Sequence, residues 1–203
     1  LKVDANVGDG VILRGPGTDG VQLLNMLVGI SGGNGGNGFL VDGATNVREV
    51  PQSQCYYFRV KNNAGDGFRV MGASSGVRFE LPYRDGICHS VIEANGGLAM
   101  NLVAPGDPAG GVTPNDVGDV DSGPNTLLNT PVLAPLVAKG GGLFNVSGTA
   151  CASCTVRIYQ VSTAAAPNGA PADTHGEPGR ILATTSTNGA GAFSIDVTPT
   201  GGS

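Results

Sequence analysis

Histidine is almost missing from this chain: His89 and His175 are the only two. They fall in different halves of the sequence pattern described below, so a Ser-His-Asp triad or a histidine-rich metal site has too few members. His89 stands in or beside a strand-like run and reads as ordinary packing, and His175 lies in a Gly/Pro loop open to water. Basic residues are scarce as well. Eleven Lys plus Arg stand against sixteen Asp plus Glu, for a formal charge of −5 and a pI near 4.8. No basic patch with interleaved aromatics is visible, which argues against a nucleic-acid partner. No apolar run approaches ~18 residues, so no segment has the length of a membrane-spanning helix. Neither an initiator methionine nor a signal peptide precedes Leu1; an upstream segment is expected to have been removed or left out.

Glycine, in contrast, is abundant, with 35 residues beside 13 prolines. Such a composition can mean disorder, but here the glycines are ordered. Gly8-Asp9-Gly10-Val11-Ile12-Leu13, Gly36-Asn37-Gly38-Phe39-Leu40-Val41, Gly65-Asp66-Gly67-Phe68-Arg69-Val70 and Asn95-Gly96-Gly97-Leu98-Ala99-Met100 repeat one pattern. Gly10, Gly38, Gly67 and Gly97 are 28, 29 and 30 residues apart. A period in this range, carried by short alternating strands, is the mark of a solenoid with one coil per repeat.

Each repeat holds further strand-like runs. Val21-Gln22-Leu23, Val47-Arg48-Glu49-Val50 and Val77-Arg78-Phe79-Glu80-Leu81 form a second set, and Val28-Gly29-Ile30, Phe58-Arg59-Val60 and Val91-Ile92 a third. Alternation at period two separates an inner from an outer face. The expected inner ladders are Val11, Phe39, Phe68 and Leu98; Leu13, Val41, Val70 and Met100; and Val3, Ile30, Val60 and Ile92. Gln22, Arg48, Glu49, Arg69, Arg78 and Glu80 are expected outside. Asn6, Asn63 and Asn95 recur at one turn, where asparagine tolerates left-handed backbone and can bond to its counterpart in the next coil. Three strands per coil, with coils about 4.8 Å apart, predict an all-β fold: a short right-handed parallel β-helix of about three to four coils.

The pattern changes near residue 104. Ala104-Pro105-Gly106-Asp107-Pro108-Ala109-Gly110-Gly111 suits neither helix nor inner strand. Beyond an Asp-rich loop, five runs without the coil period follow, at 132–137, 143–146, 156–161, 181–185 and 192–197, separated by turns such as Asn188-Gly189. They predict an Ig-like β-sandwich. The expected organisation is a β-helix over 1–104, a junction over 105–130 and a sandwich over 131–203.

The junction carries a resemblance. Asp119-Val120-Asp121-Ser122-Gly123-Pro124-Asn125, then Leu127-Leu128-Asn129-Thr130-Pro131-Val132-Leu133, resembles the D-x-D-x-G-P-N then Q-N-[FY]-P-V-L junction of bacterial surface proteins. In that family a parallel β-helix repeat region precedes an Ig-like module. The resemblance runs through Val146-Ser147-Gly148-Thr149-Ala150-Cys151-Ala152-Ser153-Cys154-Thr155-Val156, Gly176-Glu177-Pro178-Gly179-Arg180-Ile181-Leu182 and Asn188-Gly189-Ala190-Gly191-Ala192-Phe193-Ser194. Thr130 stands where the family has an aromatic. Related modules also continue into one more strand, so this sandwich is expected to be one strand short. Leu1 to Asn6 likewise reads as the last strand of a coil lacking its first two. Two explanations stay open: a processed or trimmed chain, or a neighbouring subunit that covers the open coil or supplies the missing strand.

Chemistry is thin on this scaffold. An active site for polysaccharide cleavage would draw on Asp66, Arg69, Arg78, Glu80 and Asp85. The alternating charges of the second strand set instead suit a salt-linked outer face. Cys55 and Cys88 are about one coil apart and within reach of a disulfide as stacked neighbours. Cys151-Ala152-Ser153-Cys154 lies between two strands with no βαβ context, so a local disulfide in an oxidising compartment is expected over a redox or zinc role. Asn115, Asp116, Asp119, Asp121 and Asn125 place oxygen donors close together, with Gly118 and Gly123 as hinges. Ca²⁺ is the candidate cofactor there, with Asp116, Asp119, Asp121 and Asn125 as the metal ligands; a solvated linker is the alternative. Asn145-Val146-Ser147 is a lone glycosylation sequon on an expected strand.

Two functional classes follow. The first is a non-enzymatic extracellular or cell-surface structural module, a filament subunit or adhesin that associates with itself or with other surface proteins. The second is a polysaccharide-binding or polysaccharide-cleaving protein of the lyase or hydrolase kind, with Tyr56, Tyr57 and Tyr83 as stacking surfaces for sugars.

Overall fold

The computed structural model describes residues 1–50, 58–79, 91–107, 111–161 and 178–199. The protein is all-β: among these residues there is no α-helix, only a short 3₁₀ turn at Pro124–Leu127.

The chain opens with β1 (Lys2–Val3), β2 (Val11–Arg14) and β3 (Gln22–Leu23), then β4 (Leu27–Val28), β5 (Phe39–Asp42) and β6 (Arg48–Glu49). β7 (Arg59–Lys61), β8 (Phe68–Met71), β9 (Val91–Glu93) and β10 (Met100–Leu102) follow. They sort into three parallel sheets: sheet I in the order β1-β4-β7-β9, sheet II in the order β2-β5-β8-β10, and sheet III from β3 and β6. The chain visits the three in turn, and Arg78 extends sheet III by a single bridge to Arg48.

The registers follow the inward residues. Val11, Phe39, Phe68 and Met100 form one rung series, with Leu13, Val41, Val70 and Leu102 beside it. Val3, Val28, Val60 and Ile92 form the series of sheet I. Phe39, Val41, Val28, Val60, Phe68 and Val70 are wholly buried. Phe39 stacks on Phe68 at 4.7 Å between ring centres, and Phe58 and Phe79 pack around them. Each such pair contributes about 0.5–1.5 kcal/mol beyond its buried area.

Four expectations need correction. In sheet I, Val28 and not Ile30 stacks with Val3 and Val60; the left-handed backbone at Gly29 (φ 78°) bends the chain, and the Ile30 N–H turns to Asp4. In sheet II the last circuit is longer than the Gly67 to Gly97 spacing suggests, so Met100 and not Leu98 faces Phe68. Ala99, not Gly97, occupies the place of Gly10, Gly38 and Gly67. A Cβ on Gly67 would stand 2.7 Å from the Ala99 carbonyl oxygen, so an inner circuit requires glycine. Ala99 lies on β10's edge of the sheet, where a methyl meets no further strand among the described residues. Glu49 pairs with Leu23 on the inner side and is buried, because its rung parity is that of Leu23 rather than of Arg48. Finally, the 132–137 run is not one strand, because Pro135 interrupts it.

The second half comprises β11 (Val132–Leu133), β12 (Val137–Gly140), β13 (Leu143–Thr149), β14 (Thr155–Val161), β15 (Pro178–Ser186) and β16 (Ala192–Val197). β11 and β12 pair with one side of β13 and β16 with the other, all antiparallel. β14 and β15 form a separate antiparallel pair. Val146, Phe193 and Val197 from the first sheet and Val156 from the second make a buried apolar cluster separate from that of the parallel sheets. A disulfide joins Cys151 to Cys154 between β13 and β14. Thr187 secures that turn, accepting from the Cys154 N–H at 2.8 Å and donating to the Cys151 carbonyl at 2.7 Å. The outer face of β14 (Thr155, Arg157, Tyr159) and Phe79 line a cleft of about 320 Å³, and β15 lies beside β9.

Candidate functional site

The turns between sheets I and II hold two polar ladders. In the first, Nδ2 of Asn6 donates to Oδ1 of Asn34, Asn34 to Asn63, and Asn63 to Asn95, at 2.7 to 2.8 Å. The same oxygens accept the backbone N–H of Asn6, Asn34 and Asn63. Asn34 was missing from the sequence reading; its place 28 residues after Asn6 and 29 before Asn63 was the available signal. In the second ladder Asp9 accepts from Asn37, Asn37 from the Asp66 N–H, and Asp66 from the Leu98 N–H.

This second ladder decides how Asp66 can act. Its carboxylate is buried, accepts from Leu98 and from Asn101 Nδ2 at 2.9 Å, and pairs with Arg69 at 3.3 Å. All three partners belong to the fold itself, so the carboxylate is tied into the turn. Of the candidate catalytic group, Asp66 and Arg69 are brought together as an ion pair at the turn and strand of sheet II, while Arg78 belongs to sheet III. Glu80, Asp85, Tyr56, Tyr57, Tyr83, His89, His175, Cys55 and Cys88 lie outside the described residues.

At the acidic junction the loop folds onto Asn129 and Thr130. Asn129 Oδ1 accepts from the Asp116 N–H, its Nδ2 donates to the Asp116 carbonyl, and its own N–H donates to Asp119 Oδ1. Asp116 Oδ2 accepts from the Val120 N–H. Asn115 accepts from both the N–H and the hydroxyl of Thr130, the position where the resembled family carries an aromatic. Asp116 Oδ1 is buried with no hydrogen-bond donor. Asn125 turns the other way. Its Oδ1 accepts from the Val77 N–H at 3.0 Å, its Nδ2 donates to the Val77 carbonyl at 2.8 Å, and its own N–H bonds the Ser74 carbonyl. The side-chain amide thus does for Val77 what a further strand would do. Asn125, Thr126 and Leu127 are all left-handed (φ 47°, 60° and 51°), and Pro124 and Leu127 are buried. Among the described residues, no group of three or more His, Cys, Asp and Glu side chains is placed to hold a metal ion.

The junction turn and the 72–78 segment enclose an open groove of about 900 Å³, lined in part by Ser74, Ser75, Arg78, Asn125 and Thr126. Elsewhere, outer charges pair across rungs: Arg14 with Asp42 at 3.0 Å and Lys61 with Glu93 at 2.6 Å. Burial pushes the Asp4 carboxyl up, but hydrogen bonds from Lys2 and the N–H groups of Ser31 and Ile30 outweigh it and hold it below the ordinary carboxylate range. Hydrogen bonds from Thr45 and Asn46 lower Asp19, and those from Lys139 and Asn145 lower Asp196.

No family model matches this chain, and neither a curated protein nor a solved structure matches it.

Proposed function

We propose that this chain is a non-enzymatic structural module of a secreted or cell-surface protein, in which residues 1–104 form a short right-handed parallel β-helix, 105–130 a junction and 131–203 an Ig-like β-sandwich. Copies associate end to end, as in a filament subunit or an adhesin stalk. The observation that carries this reading is the pair of open strand edges. Among the described residues, β1, β2 and β3 each stand at the edge of their sheet, with Leu1, Val7 and Ile12 exposed. At the other end β11 and β12 have β13 as their only strand partner among the described residues, and Val132, Leu133, Leu136 and Val137 are each more than half exposed. Open edges flanked by apolar side chains template pairing with another chain. When the two edges differ, the contact is heterologous and propagates unless it closes.

The turn carboxylates support the non-enzymatic half, because Asp9 and Asp66 are engaged in the ladders. The Cys151–Cys154 disulfide is consistent with an oxidising compartment. Calcium at Asp116, Asp119 and Asp121, with Asn125 as a further ligand, remains a proposal. The donorless Asp116 Oδ1 speaks for it and the pairing of Asn125 with Val77 against it. Melting with and without millimolar Ca²⁺ decides: a raised midpoint supports binding, an unchanged one removes it.

Sedimentation velocity over a wide concentration range tests the assembly, using the native chain and the variants Ile12→Lys and Leu133→Lys. The native chain is expected to associate with rising concentration and each variant to associate less. A single monomeric species throughout would overturn the proposal.

A further inference from the structure

The outer charges of the parallel sheets follow a rule that fails in one place. Where both members of a rung pair are charged, Arg14 faces Asp42 and Lys61 faces Glu93, each forming an ion pair. In sheet III, Arg48 faces Arg78. Both arginines are exposed, and beyond their backbone bonds within the sheet neither guanidinium has a hydrogen-bond or ion-pair partner among the described residues. Adjacent rungs are about 4.8 Å apart, and like charges on facing positions destabilise a sheet. The sequence carries this cost while an acidic protein of charge −5 has carboxylates to place there. A local rule broken against the pattern of its neighbours marks a functional position.

We propose that Arg48 and Arg78, with Gln22 on the rung before them, bind an extended acidic polysaccharide. Gln22, Arg48 and Arg78 form one row along the stacking direction, and Arg78 also lines the groove of about 900 Å³ beside the junction. A guanidinium fork matches a carboxylate in a bidentate manner. The rungs are about 4.8 Å apart, so a polyanion lying along the row meets both guanidinium groups at once and engages them more strongly than a single carboxylate would. Ser75 and Thr126 in the groove, with Gln22 at the end of the row, offer partners to sugar hydroxyls. Single-stranded nucleic acid needs exposed rings on which bases stack. Among the described residues, the rings packed in the parallel sheets, Phe39, Phe58, Phe68 and Phe79, are buried, and the DNA arm of the test below separates the two polyanions. This inference is separate from the assembly reading: copies can associate without binding a glycan, and bind one without associating.

Affinity electrophoresis in gels containing polygalacturonate, dextran or single-stranded DNA tests it, with the native chain, Arg48→Gln/Arg78→Gln and Lys139→Gln as a control. Lys139 pairs with Asp196 on the antiparallel sheet. Polygalacturonate is expected to retard the native chain and the control alike, with at least about tenfold weaker binding in the double variant, equivalent to ~1.4 kcal/mol. Dextran is expected to have no effect, and raised salt to weaken the interaction. Absence of retardation, equal retardation of the double variant, or equal retardation by DNA would each overturn the assignment. Circular dichroism of the variants confirms that loss of binding is not loss of fold.

Discussion

Replacing Asn63 by alanine removes the middle of the asparagine ladder, and the structure fixes what is lost. The side chain of Asn63 is wholly buried. Its Nδ2 donates to Asn95 Oδ1 at 2.8 Å, and its Oδ1 accepts from Asn34 Nδ2 at 2.7 Å and from the Asn34 N–H at 3.3 Å. Alanine keeps the backbone bond from residue 63 to Asn95 but leaves two donors of Asn34 without their main acceptor in a buried turn. An orphaned buried donor costs about 1–3 kcal/mol, so a loss of about 3–5 kcal/mol is expected. This is a large part of the ~5–15 kcal/mol that holds a typical domain together. Asn6→Ala is the internal control. Asn6 is exposed and at the end of the ladder, its backbone N–H still reaches Asn34 Oδ1, and no buried donor is orphaned; at most about 1 kcal/mol is expected. Urea unfolding of the three proteins, followed by far-ultraviolet circular dichroism, reads both values. Equal costs for the two variants, or less than about 1 kcal/mol for Asn63→Ala, would refute the claim that buried ladder bonds hold the circuits together.

Asn125→Ala removes both side-chain bonds to Val77 and puts alanine at a left-handed position; about 2–3 kcal/mol of stability loss is expected by urea unfolding. Gly67→Ala forces a methyl to 2.7 Å from the Ala99 carbonyl oxygen and 2.6 Å from Ile92 Cγ2, for an expected cost of about 1–3 kcal/mol, whereas Ala99→Gly should cost no more than about 1 kcal/mol. Asp4, Asp19 and Asp196 all titrate below the ordinary carboxylate range in the folded chain. The unfolded chain therefore binds protons first as pH falls. Their contribution is fully present above the ordinary carboxylate pKa and is lost as pH drops through the folded values. The melting temperature should hold steady through mildly acidic pH and fall below it, and less steeply for Asp4→Asn.

The parallel strands were legible because their inner residues alternate against glycines that cannot be replaced where circuits touch. Val11, Phe39 and Phe68, like Leu13, Val41 and Val70, were read in their observed register. The same reliance on glycine misplaced the last circuit. Its equivalent position is Ala99, allowed because no strand follows it among the described residues, and the spacing of the asparagines, 28, 29 and 32 residues, was the more faithful ruler. Charge misled at Glu49, since polarity says outside whereas its rung parity says inside. At the junction the sequence grouped Asn125 with the aspartates by proximity along the chain. Its actual partner, Val77, is 48 residues away, a contact that no local pattern announces. The like-charged pair Arg48 and Arg78 was visible as two residues but not as a row, because that depends on which rungs meet.

Electron microscopy of the native, unrefolded material tests the proposed structural role most directly. Regular filaments or end-to-end chains, lost in Ile12→Lys and Leu133→Lys, are the expected result. Dispersed single particles at every concentration, in the native chain as in the variants, would contradict it.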